Sequence, residues 1–260
     1  MITRSKNFKD EFYFFLDKFK KKENFNLLRF SDGELFMLQN KSIRLGKLFV
    51  KVDDKIKGIV SHASYDKKVF DPKKHSKFVE ELTKSFKYSS PEYYKGINCV
   101  CCVGKENYDW QFKLLEKDDD DDLTWSNVLL NSNYPLFMTE FYPEIQKRGA
   151  YVICNEKADL SHLSWVKGDI RIKSNAFNDL SPIEEVKALI SSQNLRNEVF
   201  LFSASSFSNV AQYELAIFEP NNTYIDIGTT LSYEFKIPSK RGYLDTYYKN
   251  KSDYQTCIWN

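Results

Sequence analysis

The sequence lacks the features that mark several large classes of protein. No apolar stretch approaches the length needed to span a bilayer, and the N-terminus leads into a charged amphipathic segment instead of the apolar core of a signal peptide. Neither a G-x-G-x-x-G nor a G-x-x-x-x-G-K-[ST] pattern occurs, which counts against a dinucleotide-dependent oxidoreductase and a P-loop NTPase. We therefore expect a soluble, cytoplasmic protein of another class, with no transmembrane segment.

An excess of charge of either sign is also missing. The chain has 38 Lys and Arg against 36 Asp and Glu, a formal net charge of +2. No global field therefore favours nucleic acid or an anionic membrane as a partner. Histidine is scarce as well, and none of the three (His62, His75 and His162) has partners at the spacing of a zinc site.

Five cysteines are present, and three of them, Cys99, Cys101 and Cys102, lie in the apolar run 97–103. We interpret this run as a buried strand and its cysteines as small core residues. Cys99 and Cys102 form a C-x-x-C, but no second ligand pair accompanies them, which argues against a zinc site and also against a redox pair. The odd number of cysteines fits a reducing compartment.

Alternating strand and helix patterns predict the fold. Amphipathic helices are predicted over 7–22, 74–87 and 109–117, and buried strands over 26–30 and 97–103. From residue 150 onward strands alternate with helices through short loops: strands at 151–154, 168–172, 199–202 and 224–228, with a helix over 207–218. This alternation is typical of a parallel sheet covered on both faces. We predict a single Rossmann-like α/β domain over residues 1–260, with a non-periodic tail from about 235.

Two further stretches have less regular patterns. Residues 41–60 are predicted to form either a β excursion or a loop. The five consecutive aspartates at 118–122 are predicted to form an exposed loop, because repulsion between their charges favours a solvated segment.

The segment Arg29-Phe30-Ser31-Asp32-Gly33-Glu34 follows a short apolar run and opens an amphipathic one. Gly33 permits backbone conformations that other residues resist, so Asp32 and Glu34 can turn both carboxylates toward one point as a hard oxygen site for Mg²⁺ or Mn²⁺. Alternatively, Asp32 is an N-cap and Glu34 a first-turn acid of an ordinary helix. The tripeptide alone leaves both interpretations open.

Three other strand ends carry polar residues, and ligands of open α/β sheets bind at such ends. Gly104 and Lys105 follow the second predicted strand, and Asp226 and Gly228 follow the last one. Ser203-Ala204-Ser205-Ser206 lies between a strand and a helix, where it is either a phosphate cradle or an ordinary helix cap.

The segment 29–34 resembles the Arg-Phe-Gly-Asp-Gly-Glu signature of the GT-D fold glycosyltransferases, a family first described as a domain of unknown function. Ser31 stands where that family commonly has Gly. Residues 131–134 (Asn-Ser-Asn-Tyr) are similar to a polar element in the middle of the family's domain, and residues 199–228 to its C-terminal α/β unit. In that family the Asp-x-Glu element coordinates the divalent metal of a nucleotide-sugar donor.

The resemblance implies a metal-dependent glycosyltransferase that moves a sugar from a nucleotide-sugar donor, UDP-linked, to a glycan or other hydroxyl acceptor. It makes Asp32 and Glu34 the ligands of Mn²⁺ or Mg²⁺, and Asp32, Glu34 and Asp226 the catalytic residues. The residues expected to contact the donor are Arg29, Phe30, Gly33, Lys105, Asn131, Asn133, Ser203, Ser205 and Ser206.

Two other functions compete with this one. The first is an S-adenosylmethionine-dependent methyltransferase-like α/β enzyme, a class that usually has a Gly-rich loop after its first strand, where this chain has Ser31-Asp32-Gly33-Glu34. The second is a non-catalytic binding module in which this segment only caps a helix.

Overall fold

The structure, a computed structural model, describes residues 7–45, 49–59, 69–116, 121–239 and 241–259. Its strands are β1 (Asn26–Arg29), β2 (Ile43–Leu45), β3 (Phe49–Val52), β4 (Lys55–Ile59), β5 (Val69–Phe70), β6 (Tyr93–Ile97), β7 (Leu123–Trp125), β8 (Ala150–Asn155), β9 (Val166–Ile172), β10 (Val199–Ser203) and β11 (Thr223–Asp226). Its α-helices are α1 (Phe8–Lys20), α2 (Asp32–Leu38), α3 (Ser76–Lys87), α4 (Val100–Val103), α5 (Lys105–Leu115), α6 (Tyr134–Leu136), α7 (Tyr142–Arg148), α8 (Pro182–Gln193), α9 (Phe207–Phe218) and α10 (Gly242–Tyr248). A π-helical turn, Phe137–Phe141, joins α6 to α7.

Seven strands form a parallel sheet in the order β7-β6-β1-β11-β10-β8-β9. Every residue of β1 and β11 is buried, as expected for central strands with helices on both faces. The predicted Rossmann-like α/β fold is confirmed. Because β1 pairs with β11 on one side and β6 on the other, the carboxyl ends of three strands that are distant in sequence meet near the middle of one edge.

Helix α1 covers one face of this sheet with a row of phenylalanines. Phe12, Phe15 and Phe19 are buried at helical spacing, as the sequence pattern predicts. Asn7 caps the helix, since its Oδ1 accepts hydrogen bonds from the backbone N–H groups of Lys9 and Asp10.

The predicted strand 97–103 is wrong. The strand is Tyr93–Ile97, and the following residues turn into α4, where Cys101 and Cys102 are exposed. Lys95 interrupts the apolar pattern of this strand, so the sequence pattern does not indicate it. In the fold Lys95 is fully buried, and its Nζ lies 2.8 Å from Asp122 Oδ2 and donates to the backbone oxygen of Tyr88.

The predicted β excursion is an antiparallel sheet of four short strands in the order β4-β3-β2-β5. Residues 46–48 and 60, which belong to the same prediction, lie outside the described residues. Of the acidic run, 118–120 also lie outside them, Asp121 is exposed, and Asp122 forms the ion pair with Lys95.

The C-terminal segment after α10 has no regular secondary structure, in keeping with its lack of periodicity. It is nevertheless well packed: Trp259 is buried, with its ring centroid 4.9 Å from that of Trp125 at the end of β7. Among the described residues, no helix combines the length and the apolar character required to cross a lipid bilayer.

Candidate active site

A cavity of about 830 Å³ lies at the carboxyl ends of the parallel strands. Its floor includes the last residue of each of five strands: Arg29, Asn155, Ile172, Ser203 and Asp226. A volume of this size is within the range of small-molecule and cofactor sites. The cavity is therefore in the position where open α/β sheets bind their ligands.

Two other parts of the chain form the walls of the cavity. The small antiparallel sheet contributes the apolar residues Ile43, Leu45 and Phe70. The C-terminal segment contributes Tyr254 and Gln255. The antiparallel sheet thus adds apolar residues to a cavity whose strand ends are mostly polar.

The Asp32–Glu34 turn lines the cavity. Helix α2 begins at Asp32 with Ser31 as its N-cap, and Glu34 Oε2 accepts a hydrogen bond of 3.0 Å from the backbone N–H of Ser31. The helix-cap interpretation therefore describes one contact of Glu34, although the cap residue is Ser31 and not Asp32. Asp32 is exposed and Glu34 is buried.

Gly33 does not have the special backbone conformation expected from the sequence. It lies within α2 and has no positive φ, and a Cβ added to it would meet no atom within 4 Å. Asp32 and Glu34 therefore line the cavity from an ordinary first helical turn.

Asp226, at the end of β11, is a third carboxylate of the cavity and is only 5 % exposed. Its Oδ1 accepts a hydrogen bond of 2.8 Å from the backbone N–H of Gly228 and lies 3.9 Å from Arg29 Nη1. Burial raises the pKa of Asp226 to about 7, and the nearby charge of Glu34 acts in the same direction. Arg29 and the Gly228 N–H oppose this shift, so the carboxyl group exchanges its proton near neutral pH.

Arg29 is held in place from several sides. Its Nε donates to the backbone oxygen of Ser126, and its own backbone oxygen accepts a hydrogen bond of 3.1 Å from Asn209 Nδ2. Its guanidinium lies against Gly228, which has φ +52, and a Cβ at that position would overlap Arg29 Nη1. Gly228 is therefore needed both for its backbone conformation and for this close approach.

The serine-rich turn Ser203–Ser206 also lines the cavity, and the 12-residue helix α9 begins directly after it. Ser203 Oγ donates to the backbone oxygen of Gly228 at 2.7 Å, which links β10 to the end of β11. Ser205 has φ +54 and is exposed. The N-terminus of α9 thus faces the same cavity as the three carboxylates, and helix N-termini favour anions.

Three predicted residues are not brought to this cavity. Phe30 is buried with its ring centroid 4.7 Å from that of Phe86. The side chain of Lys105 is 78 % exposed and pairs with Asp109 at 2.8 Å. Asn133 is buried and donates to two backbone oxygens. Asn131 does line the cavity, and its Nδ2 also lies 3.2 Å from Cys257 Sγ.

The cavity also contains polar residues that the sequence pattern did not indicate. Tyr243 and Thr229 line it, and their hydroxyl oxygens are 2.5 Å apart. Burial raises the pKa of Tyr243, so its hydroxyl keeps its proton. Arg241 lines the cavity as well. Arg241 and Tyr243 belong to the part of the chain without periodicity, where no local signal distinguishes a site residue from a surface residue.

No protein-family model and no curated protein matches the sequence. Among solved structures, a glycosyltransferase with domain of unknown function 1792 from Streptococcus sanguinis matches with a TM-score of 0.57 and 12 % identity, over 93 % of this chain and 84 % of that chain. A structure of domain of unknown function 1792 described as having a distinct glycosyltransferase fold matches with a TM-score of 0.47 and 14 % identity, over 85 % of this chain and 79 % of that chain.

The likeness to the Streptococcus sanguinis protein confirms the fold that the sequence resemblance implied. At 12 % identity it concerns the fold alone.

Proposed function

We propose that this chain is a glycosyltransferase that uses a nucleotide-sugar donor, with UDP as the nucleotide, and a divalent cation. The observation that carries the proposal is that one cavity is lined both by the start of α9 and by the acidic residues Asp32, Glu34 and Asp226. A sugar nucleotide bound with its cation needs both, because its diphosphate is anionic and its cation requires oxygen ligands.

The ligand types fit Mn²⁺ or Mg²⁺. Asp32 and Glu34 would hold the ion, since carboxylate oxygens are the hard ligands that these cations prefer. Asp32 is exposed in the cavity, and a cation that keeps water and substrate oxygens as ligands needs only one or two protein carboxylates. When bound, the ion supplies Lewis acidity to the leaving diphosphate.

The diphosphate is assigned to the first turn of α9. Backbone N–H groups at a helix start, together with the helix dipole, stabilise negative charge. The Ser203–Ser206 turn presents this helix start to the cavity, and the hydrogen bond from Ser203 to Gly228 fixes the turn against the floor.

Asp226 is our candidate for the base that accepts the proton of an acceptor hydroxyl in an inverting reaction. Its pKa of about 7 is near the value at which a general base is most effective in neutral solution. Arg29, 3.9 Å away, stabilises the ionised form, so it acts as a positioning residue for Asp226. The acceptor is a glycan or another hydroxyl compound.

The proposal is tested by thermal unfolding of the full chain with Mn²⁺ and each of UDP, GDP, dTDP and CMP. UDP with Mn²⁺ at about 100 times the dissociation constant should stabilise the fold by about 2.7 kcal/mol. Asp32→Ala should abolish this stabilisation. Asp10→Ala, which removes an exposed carboxylate from the first turn of α1, is the matched control and should retain it.

Two results would refute the proposal. The first is the absence of stabilisation by every nucleotide in the presence of Mn²⁺. The second is metal-independent stabilisation by S-adenosylhomocysteine, which would support the methyltransferase-like alternative. With the nucleotide established, hydrolysis of UDP-, GDP-, dTDP- and CMP-sugars in the presence of Mn²⁺ identifies the donor.

A further inference from the structure

Four cysteines from two distant parts of the chain meet beside the cavity. Cys99 follows β6, Cys101 and Cys102 lie in α4, and Cys257 belongs to the C-terminal segment. Their four sulfur atoms all lie within 4.8 Å of one another. Cys99 and Cys257 are buried, whereas Cys101 and Cys102 are exposed, so the cluster lies at the surface with one side in the core.

The separation of the sulfur atoms suits a single metal ion. Tetrahedral zinc with bonds of about 2.3 Å to sulfur places its four ligands about 3.8 Å apart. The sulfurs of Cys99 and Cys101 are 3.2 Å apart, and no pair of the four is separated by more than 4.8 Å. All five cysteines of the chain are free in the structure, so the sulfurs are not close because of a disulfide.

Side-chain amides surround the sulfurs with donors. Asn131 Nδ2 lies 3.2 Å from Cys257 Sγ, and Asn127 Nδ2 lies 3.3 Å from Cys102 Sγ. Gln255 Nε2 lies 3.6 Å from Cys102 Sγ. A neutral thiol is only a weak acceptor, whereas a thiolate gains from such donors. Donors around ligating sulfurs are the usual outer shell of a metal–thiolate site.

We propose that Cys99, Cys101, Cys102 and Cys257 bind one zinc ion. Four thiolates in a tetrahedral arrangement select zinc or iron over the harder cations. Four protein ligands complete the coordination of zinc, which is the pattern of structural sites and not of catalytic ones. This ion is distinct in place and chemistry from the divalent cation proposed at Asp32 and Glu34.

The zinc ion would attach the C-terminal segment to the edge of the sheet. That segment has no helix or strand after α10, and its contacts include the hydrogen bond of 2.9 Å from Ser132 N to Gln255 O and the packing of Trp259 on Trp125. A link between Cys102 and Cys257 closes a very long loop, so it restricts the unfolded chain strongly. Because Asn131 and Gln255 line the cavity, the ion would also keep one cavity wall in place.

The metal content of the full-length chain tests the proposal. The protein is produced without a histidine tag, purified without added metal and analysed by inductively coupled plasma mass spectrometry. Wild type should contain about one zinc per chain. Cys101→Ala and Cys257→Ala should each contain at least about tenfold less zinc than wild type, since a ligand is lost. Cys154→Ala is the matched control, because Cys154 lies in β8 outside the cluster, and it should retain the full amount.

Folding and metal binding are checked in the same samples. Cys101 is exposed, so Cys101→Ala should keep the far-ultraviolet circular dichroism of wild type even if Cys257→Ala does not fold. Removing zinc from wild type with a chelator should lower Tm by at least about 5 °C, and should not change Tm of Cys101→Ala. Cobalt added to the metal-free wild type should give the visible bands of tetrahedral cobalt thiolate.

Several outcomes would overturn the proposal. They are a wild-type protein that neither contains nor takes up zinc, full zinc in Cys101→Ala and Cys257→Ala, iron in place of zinc, and a disulfide among the four cysteines of the purified protein. None of these measurements depends on glycosyltransferase activity, so the zinc site and the proposed function can fail separately.

Discussion

Arg29 and Asp226 occupy the carboxyl ends of neighbouring parallel strands, with Arg29 Nη1 3.9 Å from Asp226 Oδ1. Both side chains are only 7 % exposed. Parallel pairing of β1 with β11 brings this cation and this carboxylate together from opposite ends of the chain. Glu34 and the Gly228 N–H also act on Asp226, so its protonation depends on two segments that are distant in sequence, 29–34 and 226–228.

The first prediction concerns the dependence of stability on pH. The pKa of Asp226 rises from 3.8 to about 7 on folding, because burial outweighs Arg29. The folded state therefore binds the proton more tightly, and this group makes the fold less stable as pH rises from about 4 to about 7. Asp226→Asn removes that loss. The free energy of unfolding of Asp226→Asn minus that of wild type should therefore increase by about 2 to 4 kcal/mol between pH 4 and pH 8. Urea unfolding at each pH measures this difference.

Asp159→Asn is the control for this experiment. Hydrogen bonds from Lys236 and Ser161 lower the pKa of Asp159, so this exposed carboxylate is ionised throughout the window. The difference between Asp159→Asn and wild type should therefore stay constant from about pH 5, which is above the ordinary pKa of 3.8, to pH 8. Parallel stability curves for Asp226→Asn and wild type would show that Asp226 does not titrate near neutrality.

The second prediction compares two glycines of the cavity. Gly228 has φ +52 and lies against the Arg29 guanidinium, whereas a Cβ at Gly33 would meet no atom within 4 Å. Gly228→Ala should lower the free energy of unfolding by about 2 kcal/mol or more, through backbone strain and displacement of Arg29. Gly33→Ala should raise it by about 0.5 kcal/mol, because alanine favours a helix over glycine. Chemical unfolding measures both; equal effects would contradict the close approach of Arg29 to Gly228.

Periodicity predicted much of the fold because most strands and helices have local patterns. Helix 207–218 is at the predicted residues, and the late strands differ from the predictions by one or two residues. The strand β6 was misplaced because Lys95 interrupts its apolar pattern. The burial of Lys95 depends on its ion pair with Asp122, which directly precedes β7. The local sequence pattern around Lys95 does not contain this partner.

The site was predictable to the extent that it consists of strand ends. Asp32, Glu34, the serine turn and Asp226 follow strands of a parallel sheet, and the structure brings all of them to one cavity. Tyr243 could not be found in this way, because α10 lies in the segment without periodicity. The cysteine cluster was missed for a similar reason: Cys257, its fourth member, is far along the chain and belongs to no recognisable spacing.

The third prediction separates the last two aspartates of the acidic run. Lys95 is fully buried and its Nζ lies 2.8 Å from Asp122 Oδ2, whereas Asp121 is exposed. Asp122→Ala should lower the free energy of unfolding by about 3 kcal/mol, since it weakens the compensation of a buried charge. Asp121→Ala should change it by less than about 0.5 kcal/mol. Urea unfolding measures both, and a small effect of Asp122→Ala would show that Lys95 finds other compensation.

The fourth prediction locates the diphosphate within the cavity. Ser205 is exposed at the start of α9 with φ +54, a conformation that aspartate tolerates better than most residues. A carboxylate there complements the helix dipole, so Ser205→Asp should retain Tm, but it would repel a bound diphosphate. Its Kd for UDP with Mn²⁺, measured by calorimetry, should be at least about tenfold weaker than that of wild type. Lys105→Ala removes a positive charge outside the cavity and should leave this Kd unchanged. Weaker binding by Lys105→Ala than by Ser205→Asp would instead place the diphosphate at the start of α5.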